Sequence, residues 1–393
     1  MSNLQPSSVA RAAVLVAAGK SLEMQLVPVP ALATGELLVR VTACSLCGSD
    51  LHTAHGRRPH PLPTILGHEI VGRIAAIGPG PTPGCVSGRP LAVGQRITWS
   101  VCASCGRCDR CLQGLPQKCR ELVKYGHSAL ESPYGLSGGL ADYVQVFRGT
   151  AIVPLPDTLA DTAAAPASCA VATAAAIVRT VRQQLQACGG QAGSLAERSV
   201  VVLGGGMLGL SVASLLAAAG TRRLVLLDPV SDRRTRAVAA VPGLVAAAPP
   251  SRVEQAWVAS LLAAPGAERP GDHEAGQFAP DGFDVVVEAS GAAASIPAAL
   301  ELVATGGTCI LAGSVSPTPG IGFDPERVVR RQIAIHGVHN YRPEDLVTAV
   351  EHLASPAGGP LGALAGPVFP IERVNEAMAL AATPDALRVV VTP

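Results

Sequence analysis

The stretch Ser199-Val-Val-Val-Leu203, followed at once by Gly204-Gly-Gly206-Met-Leu-Gly209, decides the fold of this chain. The apolar, β-branched run predicts a buried parallel strand, and residues 210–219 predict a helix after it. Glycines at the G-x-G-x-x-G spacing let the backbone approach a pyrophosphate at the N-terminus of that helix. These residues therefore predict a dinucleotide-binding strand, turn and helix.

An acidic residue follows this unit at the position that a dinucleotide site requires. A second apolar strand, Arg223–Leu227, ends in Asp228, nineteen residues beyond Gly209. An acid there accepts hydrogen bonds from the adenosine ribose and repels a 2′-phosphate, which favours NAD over NADP. The alternative is a glycine turn in some other doubly wound sheet, but spacing, flanking elements and acid all favour the nucleotide. The predicted cofactor contacts are Gly204, Gly206, Met207, Leu208, Gly209, Asp228 and Arg233.

Length and charge limit the classes of protein to which the chain can belong. At 393 residues it is too long for one ordinary core, so two or three domains are expected. A net charge of +1 gives no footprint for nucleic acid or an acidic membrane surface. No run approaches the ~18 apolar residues of a membrane span. The first ten residues lack the pattern of a secretory signal, so we expect a cytoplasmic protein.

Hydrophobic patterns outline the elements on either side of this unit. Short β-type runs at residues 13–16, 36–41, 70–77 and 95–100, punctuated by Pro and Gly, predict an antiparallel N-terminal domain. Gly72 lies inside one of these strands, where it indicates a bulge or a close backbone approach. The Ala-rich residues 163–179 predict a helix that contains Cys169. Further buried strands are predicted at 284–289, 306–313, 333–335 and 387–392, with a helix at 343–353, whereas the Ala/Pro-rich residues 242–281 are poorly periodic.

Five of the eleven cysteines form the run Cys102-x2-Cys105-x2-Cys108-x2-Cys111-x7-Cys119. Two-residue spacers let consecutive thiolates turn toward one ion, and four of them close a structural zinc site. Free buried cysteines are the simpler alternative, but so dense a run makes it improbable. Ferredoxin-like clusters use similar spacers but end in a three-residue gap and Cys-Pro. The spacing therefore favours zinc, with five candidates for four positions.

A second group of metal-binding residue types lies in Cys44-Ser-Leu-Cys-Gly-Ser-Asp-Leu-His52 and Gly67-His-Glu69. A thiolate, an imidazole and a carboxylate this close together are explained economically by a zinc ion. Each residue also has a simpler interpretation when taken alone. His68 could be a core histidine and His52 a solvated one, and Cys169 could simply pack inside its helix.

Taken together, these motifs resemble the zinc-dependent medium-chain dehydrogenase/reductase family, the alcohol and polyol dehydrogenases, over residues 12–391. The resemblance implies an α/β chain in which a Rossmann doubly wound parallel sheet is inserted into a GroES-like, mostly antiparallel β catalytic domain. The implied domains are residues 1–170, with a structural zinc lobe at about 100–122, then the NAD-binding residues 171–338, then residues 339–393, which complete the catalytic domain.

The resemblance also implies two zinc ions per chain and assigns their ligands. Those of the catalytic ion are Cys47, His68 and Cys169, with Glu69 as a supporting or alternate ligand. Those of the structural ion are Cys105, Cys108, Cys111 and Cys119, which leaves Cys44 and Cys102 without an assigned role. The implied reaction moves a hydride between an alcohol and NAD. Ser49 would pass the alcohol proton through the cofactor ribose to His52, Asp50 would support a ligand, and Thr173 would lie beside the nicotinamide.

The substrate depends on a basic stretch that contains no acid between Asp50 and Glu69. Arg57 and Arg58 lie there among several histidines, either as a solvated loop or as a grip for a substrate anion. Residues 114–119 and 124–127 are similar to a dehydrogenase subgroup associated with phosphonate metabolism, which predicts a substrate such as a hydroxyalkyl phosphonate. The alternatives are a neutral polyol or simple alcohol, and a non-catalytic, zinc-stabilised nucleotide sensor.

The expected partners are few. We predict a small-molecule alcohol, with neither nucleic acid nor membrane, and the family implies a homodimer or homotetramer. An open zinc site argues against the non-catalytic alternative, because a purely structural zinc takes four protein ligands.

Overall fold

The computed structural model describes residues 8–187, 195–250, 253–263, 281–317 and 320–393. The strands are β1 Val9–Leu15, β2 Glu23–Pro28, β3 Leu37–Leu46, β4 Thr64–Ile65, β5 Glu69–Ile77, β6 Arg96–Ala103, β7 Val123–Lys124, β8 Tyr143–Val146, β9 Thr150–Pro154, β10 Ser199–Leu203, β11 Arg223–Leu227, β12 Val245–Ala247, β13 Phe283–Glu288, β14 Val303–Leu311, β15 Ala334–Gly337, β16 Val368–Pro370 and β17 Val389–Thr392.

The helices are α1 Gly48–Ala54, α2 Asp109–Leu112, α3 Asp161–Ala164, α4 Ala170–Ala187, α5 Met207–Ala218, α6 Ser231–Ala240, α7 Gln255–Leu262, α8 Ser295–Leu302, α9 Pro325–Arg330, α10 Pro343–Ala354, α11 Gly359–Gly362 and α12 Val374–Ala381. Short 3-10 turns lie at Pro116–Lys118, Ala165–Ser168, Leu195–Glu197 and Ile371–Arg373. These elements form two units. Unit 1 is Met1–Ala172 with Asn340–Pro393, and unit 2 is Thr173–His339.

Unit 1 is built on strands that pair antiparallel, apart from the parallel pair β16 and β17, and that bury one shared core. A three-stranded sheet has the order β2-β1-β4, and a larger sheet runs β16-β17-β3-β5-β6-β7, with β8 paired to β3 and β9 to β6. Strand β3 is central because it pairs with β5, β8 and β17. Its last residues therefore lie deep in the unit, and its end at Leu46 delivers Cys47 to the interior edge of the sheet.

Gly72 shows why one strand of this sheet needs a glycine. The β3–β5 register shifts between Val41 and Ala43, next to the Gly72 pairing. A Cβ on Gly72 would lie 2.4 Å from the carbonyl oxygen of Arg40, a distance that no side chain tolerates. The predicted close backbone approach is confirmed, and any substitution there would push β3 and β5 apart.

Unit 2 is a parallel sheet with the strand order β12-β11-β10-β13-β14-β15. This is the order of a Rossmann fold, in which ligands bind beyond the carboxyl ends of the central strands. Strand β10 lies between β11 and β13 and is wholly buried, as its apolar sequence predicted. The predicted fold class, an α/β chain with a Rossmann sheet and a mostly antiparallel GroES-like domain, is confirmed.

The prediction of one continuous helix over residues 163–179 is wrong. Helix α3 ends at Ala164, the 3-10 turn Ala165–Ser168 follows, and α4 begins only at Ala170. Pro166 lacks the N–H of a helical residue, and Cys169 adopts φ −133° and ψ −77°. Cys169 therefore lies in a break between two helices and not inside one.

The poorly periodic residues 242–281 contain β12 and α7, while 251–252 and 264–280 lie outside the described residues. Taken singly, no described helix is both long and apolar enough to cross a membrane, although the bent pair Asp161–Ser168 and Ala170–Gln186 meets that criterion when joined.

Candidate functional site

Four potential metal ligands meet inside unit 1. The ligand atoms of Cys47, His68, Glu69 and Cys169 all lie within 4.8 Å of one another. They come from three places in the chain: the junction of β3 with α1, the start of β5, and the break before α4. The structure thus brings together the three predicted catalytic zinc ligands and Glu69.

Asp50 ties this group together from the first turn of α1. Its Oδ2 accepts a hydrogen bond from the Cys47 N–H at 2.9 Å, and its Oδ1 accepts one from the Gly67 N–H at 3.2 Å. The same Oδ1 lies 3.2 Å from Nδ1 of His68. Because Nδ1 donates to the carboxylate, Nε2 of His68 is left free to bind a metal.

The pKa values in this group are coupled. Burial lowers the pKa of His68, but the charge of Asp50, its hydrogen bond and the Cys47 thiolate outweigh burial and raise the pKa to about 10. The hydrogen bond between Cys47 and Cys169 lowers the pKa of Cys47 and raises that of Cys169. Negative charge therefore concentrates on the Cys47 sulfur, which suits a cation ligand.

Arg388 is a member of this site that the sequence did not reveal. Its guanidinium donates two hydrogen bonds to the Glu69 carboxylate, each at 2.9 Å, and its Nη2 lies 3.7 Å from the Cys47 sulfur. Ser45 also donates a hydrogen bond to Glu69. Burial raises the pKa of Glu69, and the charge of Arg388 opposes that rise. Three hydrogen bonds from two side chains thus hold Glu69 beside the predicted metal ligands.

Tyr341 fixes the break that carries Cys169. Its hydroxyl donates to the carbonyl oxygen of Ser168 and accepts a hydrogen bond from the Val101 N–H at 3.1 Å. The Ser168 hydroxyl in turn donates to the carbonyl oxygen of His68 at 3.3 Å. Since these three hydrogen bonds are buried, they set the position of Cys169 relative to His68.

Ser49 and His52 lie on α1, immediately after Cys47. The Ser49 hydroxyl is 3.4 Å from Nε2 of His68, so it faces the ligand group. Nδ1 of His52 is buried and finds no hydrogen-bond partner within the described residues. Burial first, and then the charge of Arg57, lower the pKa of His52. A neutral imidazole of this kind can accept a proton near pH 7.

The two predicted substrate arginines have different surroundings. Arg57 is exposed, whereas Arg58 is half-buried and its Nη1 donates to Nε2 of His127 at 3.2 Å. The His127 ring meets the His68 ring edge to face, with centroids 5.5 Å apart. Arg58, unlike Arg57, therefore lies against a side chain that contacts His68, a predicted zinc ligand.

The cysteine lobe gathers four of its five thiols. The ligand sulfurs of Cys105, Cys108, Cys111 and Cys119 lie within 4.8 Å of one another, and three of the sulfur–sulfur distances are 3.4, 3.5 and 3.9 Å. Four sulfurs placed tetrahedrally at ~2.3 Å from one ion would lie about 3.8 Å from one another. Backbone hydrogen bonds from Arg120 and Cys111 lower the pKa of Cys108 to about 6. The lobe therefore fits a tetrahedral zinc.

The two cysteines without an assigned role lie outside both groups. Cys102 is buried in β6, where its backbone lies opposite that of Lys124 in the neighbouring strand β7. Cys44 is fully buried, and its sulfur occupies the space opposite Gly67 and Gly139, where a Cβ would come within 2.5 and 2.7 Å of it. Cys44 thus packs the core behind the ligands.

The glycine turn after β10 has the shape that a pyrophosphate needs. Gly204 has φ +107°, and a Cβ on Gly209 would lie 1.8 Å from the Gly204 carbonyl oxygen. Gly206 precedes α5 and has open space where its Cβ would be. The turn is therefore a cradle in which backbone N–H groups at a helix N-terminus can meet an anion.

The remaining predicted cofactor residues are placed as follows. The buried Asp228 accepts hydrogen bonds from the Gly205 N–H at 2.7 Å and the Val230 N–H at 2.8 Å, and Arg233 lies 3.9 Å from it. Met207 is buried and Leu208 is half-buried at the start of α5. Their backbone N–H groups, rather than their side chains, are therefore available to a ligand. Thr173 lies largely buried in α4.

Comparison with known proteins gives two family matches and several relatives. Residues 33–157 match the alcohol dehydrogenase GroES-like domain, and residues 208–355 match the zinc-binding dehydrogenase family. An alcohol dehydrogenase of Geobacillus stearothermophilus is 39% identical over 42% of this chain and 45% of its own length. The 5-exo-hydroxycamphor dehydrogenase of Pseudomonas putida is 27% identical over 94% of this chain and 95% of its own.

A solved structure shows the same fold. The alcohol dehydrogenase of Thermotoga maritima superimposes with a TM-score of 0.84 and 23% identity, covering 98% of this chain and 99% of that one. At this identity the likeness establishes the architecture of the chain.

Proposed function

Because the chain belongs to the zinc-dependent medium-chain dehydrogenase/reductase family and is an alcohol or polyol dehydrogenase of that family, we propose that it exchanges a hydride between NAD(H) and a small anionic alcohol, such as a hydroxyalkyl phosphonate. The observation that carries the catalytic part is the meeting of Cys47, His68 and Cys169 beside Glu69. Two thiolates and an imidazole are a zinc donor set that leaves a position open for substrate.

The metal and the nicotinamide supply chemistry that the side chains lack. Bound zinc supplies Lewis-acid polarisation of the alcohol oxygen, and the nicotinamide is the hydride acceptor. The protein side chains hold and move the proton. Ser49 faces His68 and would take the alcohol proton at its hydroxyl. His52 would receive that proton by way of the cofactor ribose and release it to solvent, because its lowered pKa makes the protonated ring give the proton up readily.

Two charged pairs keep the ligands in place. Asp50 fixes the tautomer of His68, and Arg388 holds Glu69 beside Cys47. The charge of Arg388 compensates that of Glu69, which reduces the repulsion between Glu69 and an anionic substrate.

The half-buried Arg58 supports an anionic substrate, because a guanidinium beside the ligand group can bind an oxyanion in a forked contact. The buried Asp228 supports NAD as the preferred cofactor, because its carboxylate would repel a 2′-phosphate. We also propose that the chain forms a homodimer or homotetramer, since strand β15 ends the parallel sheet.

The test is to incubate the enzyme and NAD with a panel of alcohols and to measure the absorbance of the NADH formed. Mass spectrometry measures the zinc content of the same protein. We expect two zinc ions per chain and oxidation of at least one alcohol class. Cys47→Ala and His68→Ala should abolish turnover while NAD binding stays measurable by titration, because the nucleotide residues lie in the other unit.

The other outcomes each decide against part of the proposal. Normal turnover by either variant would refute the assigned ligands. Faster turnover of neutral polyols than of phosphonate-bearing alcohols would favour the neutral-substrate alternative. Two zincs without oxidation of any alcohol would favour a nucleotide sensor.

A further inference from the structure

Glu288 is a fully buried carboxylate for which the proposed reaction has no use. It ends β13 at the carboxyl edge of the parallel sheet, opposite Leu203 of β10. No ion pair in the described part of the chain includes it, and its buried Oε2 has no hydrogen-bond partner there. A carboxylate buried without a cation is costly, so its other contacts must compensate the charge.

These contacts converge on the second oxygen, Oε1. It accepts hydrogen bonds from the Ser290 N–H at 2.8 Å and the Gly291 N–H at 2.9 Å. The hydroxyls of Ser290 and Ser295 donate to the same oxygen at 2.6 and 2.8 Å. Hydrogen bonds to a carboxylate are stronger than those between neutral groups. Glu288 therefore fixes the turn formed by residues 289–291, which we call the β13 turn.

The β13 turn lies directly against the first glycine of the pyrophosphate cradle. A Cβ on Gly204 would lie 2.9 Å from both the N and the Cα of Ser290. The Ala289 N–H also donates to the carbonyl oxygen of Leu203 at 2.9 Å. Because the two backbones are in van der Waals contact and hydrogen-bonded, a displacement of the turn would displace Gly204 with it.

A second strand closes the other side of the turn. Gly291 has φ +71°, and a Cβ there would lie 2.5 Å from the carbonyl oxygen of Gly313, just beyond β14. The Gly313 N–H donates to the carbonyl oxygen of Glu288 at 3.0 Å. The β13 turn is thus confined between Gly204 and Gly313, and the Glu288 carboxylate fixes it in that gap.

The cradle therefore has a buried acid on each side of β10. Asp228, just beyond β11, holds the cradle directly, because it accepts a hydrogen bond from the Gly205 N–H at 2.7 Å. Glu288 acts from β13 through the turn. A cradle of this kind binds an anion by aiming backbone N–H groups at it, so its affinity depends on where the backbone is held.

We propose that Glu288 is a positioning residue for the cofactor, which holds the β13 turn against Gly204 and thereby fixes the pyrophosphate cradle. This inference rests on the proposed NAD binding and extends it to a side chain that is too buried to touch the cofactor. The effect belongs to ligands that carry a pyrophosphate, such as NAD and ADP. Adenosine, which carries no phosphate, does not depend on it.

Calorimetric titration of ADP and adenosine into the zinc-loaded protein tests this role. Glu288→Leu should weaken ADP binding roughly 10- to 100-fold, because only ADP takes charge-assisted hydrogen bonds from the cradle, and should leave adenosine binding unchanged. Glu288→Gln keeps an oxygen for the Ser290 and Gly291 N–H groups and should retain most of the ADP affinity. Gly291→Ala displaces the same turn without removing the carboxylate and should also weaken ADP binding.

Asp284→Leu is the matched control. Asp284 lies near the other end of β13 and accepts hydrogen bonds from the N–H and the hydroxyl of Ser199 at 2.8 and 2.7 Å. It therefore ties β13 to β10 about 13 Å from Glu288, at ~3.3 Å per residue of strand. Both leucine variants should lower the unfolding temperature, but Asp284→Leu should leave the affinities for ADP and adenosine unchanged.

Failure of the positioning role and failure of the proposed function give different results. A wild-type protein that binds neither ADP nor NAD would refute both. Normal ADP affinity in Glu288→Leu would overturn the positioning role and leave the proposed function intact. Equal losses of ADP and adenosine affinity in Glu288→Leu, or the same loss of ADP affinity in Asp284→Leu, would show a general loss of structure and would also overturn the positioning role.

Discussion

Arg388 is the cation that contacts Glu69 and lies beside Cys47 in the proposed catalytic site. Its guanidinium makes a forked contact with Glu69 and extends toward the Cys47 sulfur, and both members of the pair are nearly inaccessible to water. A buried pair of this kind contributes little net stability when intact, but removal of one partner leaves an uncompensated charge. Its main effect is to hold Glu69 beside the proposed metal ligands.

A double-mutant cycle tests this view. Arg388→Met should lower the free energy of unfolding by about 3–5 kcal/mol, because Glu69 would be left charged and unpaired. Glu69→Gln/Arg388→Met should cost less than the sum of the two single variants. Urea unfolding of the zinc-loaded protein measures all four states.

Arg373→Met is the matched control, because its ion pair with Glu376 is exposed. Water screens such a pair, so this variant should lose far less stability than Arg388→Met. If the double variant loses as much unfolding free energy as the two single variants together, Arg388 and Glu69 are not coupled.

At the scale of elements, the cysteine lobe shows how short segments depend on an ion. Helix α2 has four residues and the following 3-10 turn has three, and neither buries a residue fully. Elements this short cannot hold their shape by packing alone. The four clustered thiols therefore supply the cross-links that this part of the chain otherwise lacks.

Two single-cysteine variants distinguish a proposed zinc ligand, Cys111, from Cys102, which has no assigned role. Cys111→Ser should reduce the zinc content from two ions per chain to one, because three thiolates bind the structural ion far more weakly than four. Cys102→Ser should keep both ions, since Cys102 lies outside the cluster. Zinc analysis after dialysis against a weak chelator measures this, and loss of zinc in Cys102→Ser would show that five cysteines share the site.

Local patterns predicted much of this architecture. The glycine turn and the cysteine lobe were accessible from sequence because their members lie within some twenty residues of one another. Arg388 was not, because it meets Glu69 only through the pairing of β17 with β3. The break at Cys169 was missed for a similar reason. Alanine favours a continuous helix, and the buried hydroxyl of Tyr341, remote in sequence, holds the interruption in place.

The substrate residues show the same limit. Sequence proximity suggested Arg57 and Arg58 together, whereas the fold exposes the first and sets the second against His127. The fold decides which of two adjacent arginines is exposed and which contacts His127, and their proximity in sequence cannot.

At the scale of the whole molecule, the end of the parallel sheet is the feature that bears on assembly. Strand β15 has β14 on one side, and the described residues provide no strand for its other side. Ile335 on this strand is 38% exposed. An open edge with apolar side chains is a template for pairing with a second chain.

Light scattering coupled to size exclusion tests this assembly. The wild-type chain should elute as a dimer or tetramer, and Ile335→Lys should shift it toward the monomer by placing a charge on the open edge. Val93→Lys, at an exposed apolar position of unit 1, should leave the mass unchanged. A monomeric wild-type protein would contradict the prediction.

The pairing of Arg388 with Glu69 also determines when the site can be completed during synthesis. Cys47, His68 and Glu69 leave the ribosome long before Arg388, and 319 positions separate the two members of the ion pair. At about 5–20 residues per second this interval lasts roughly 16–64 s. Throughout it the edge of β3 that will receive β17 has no partner, while unit 2 is fully synthesised in between. The nucleotide-binding unit can thus finish folding first, and the nascent catalytic unit waits with an open sheet and an unpaired glutamate.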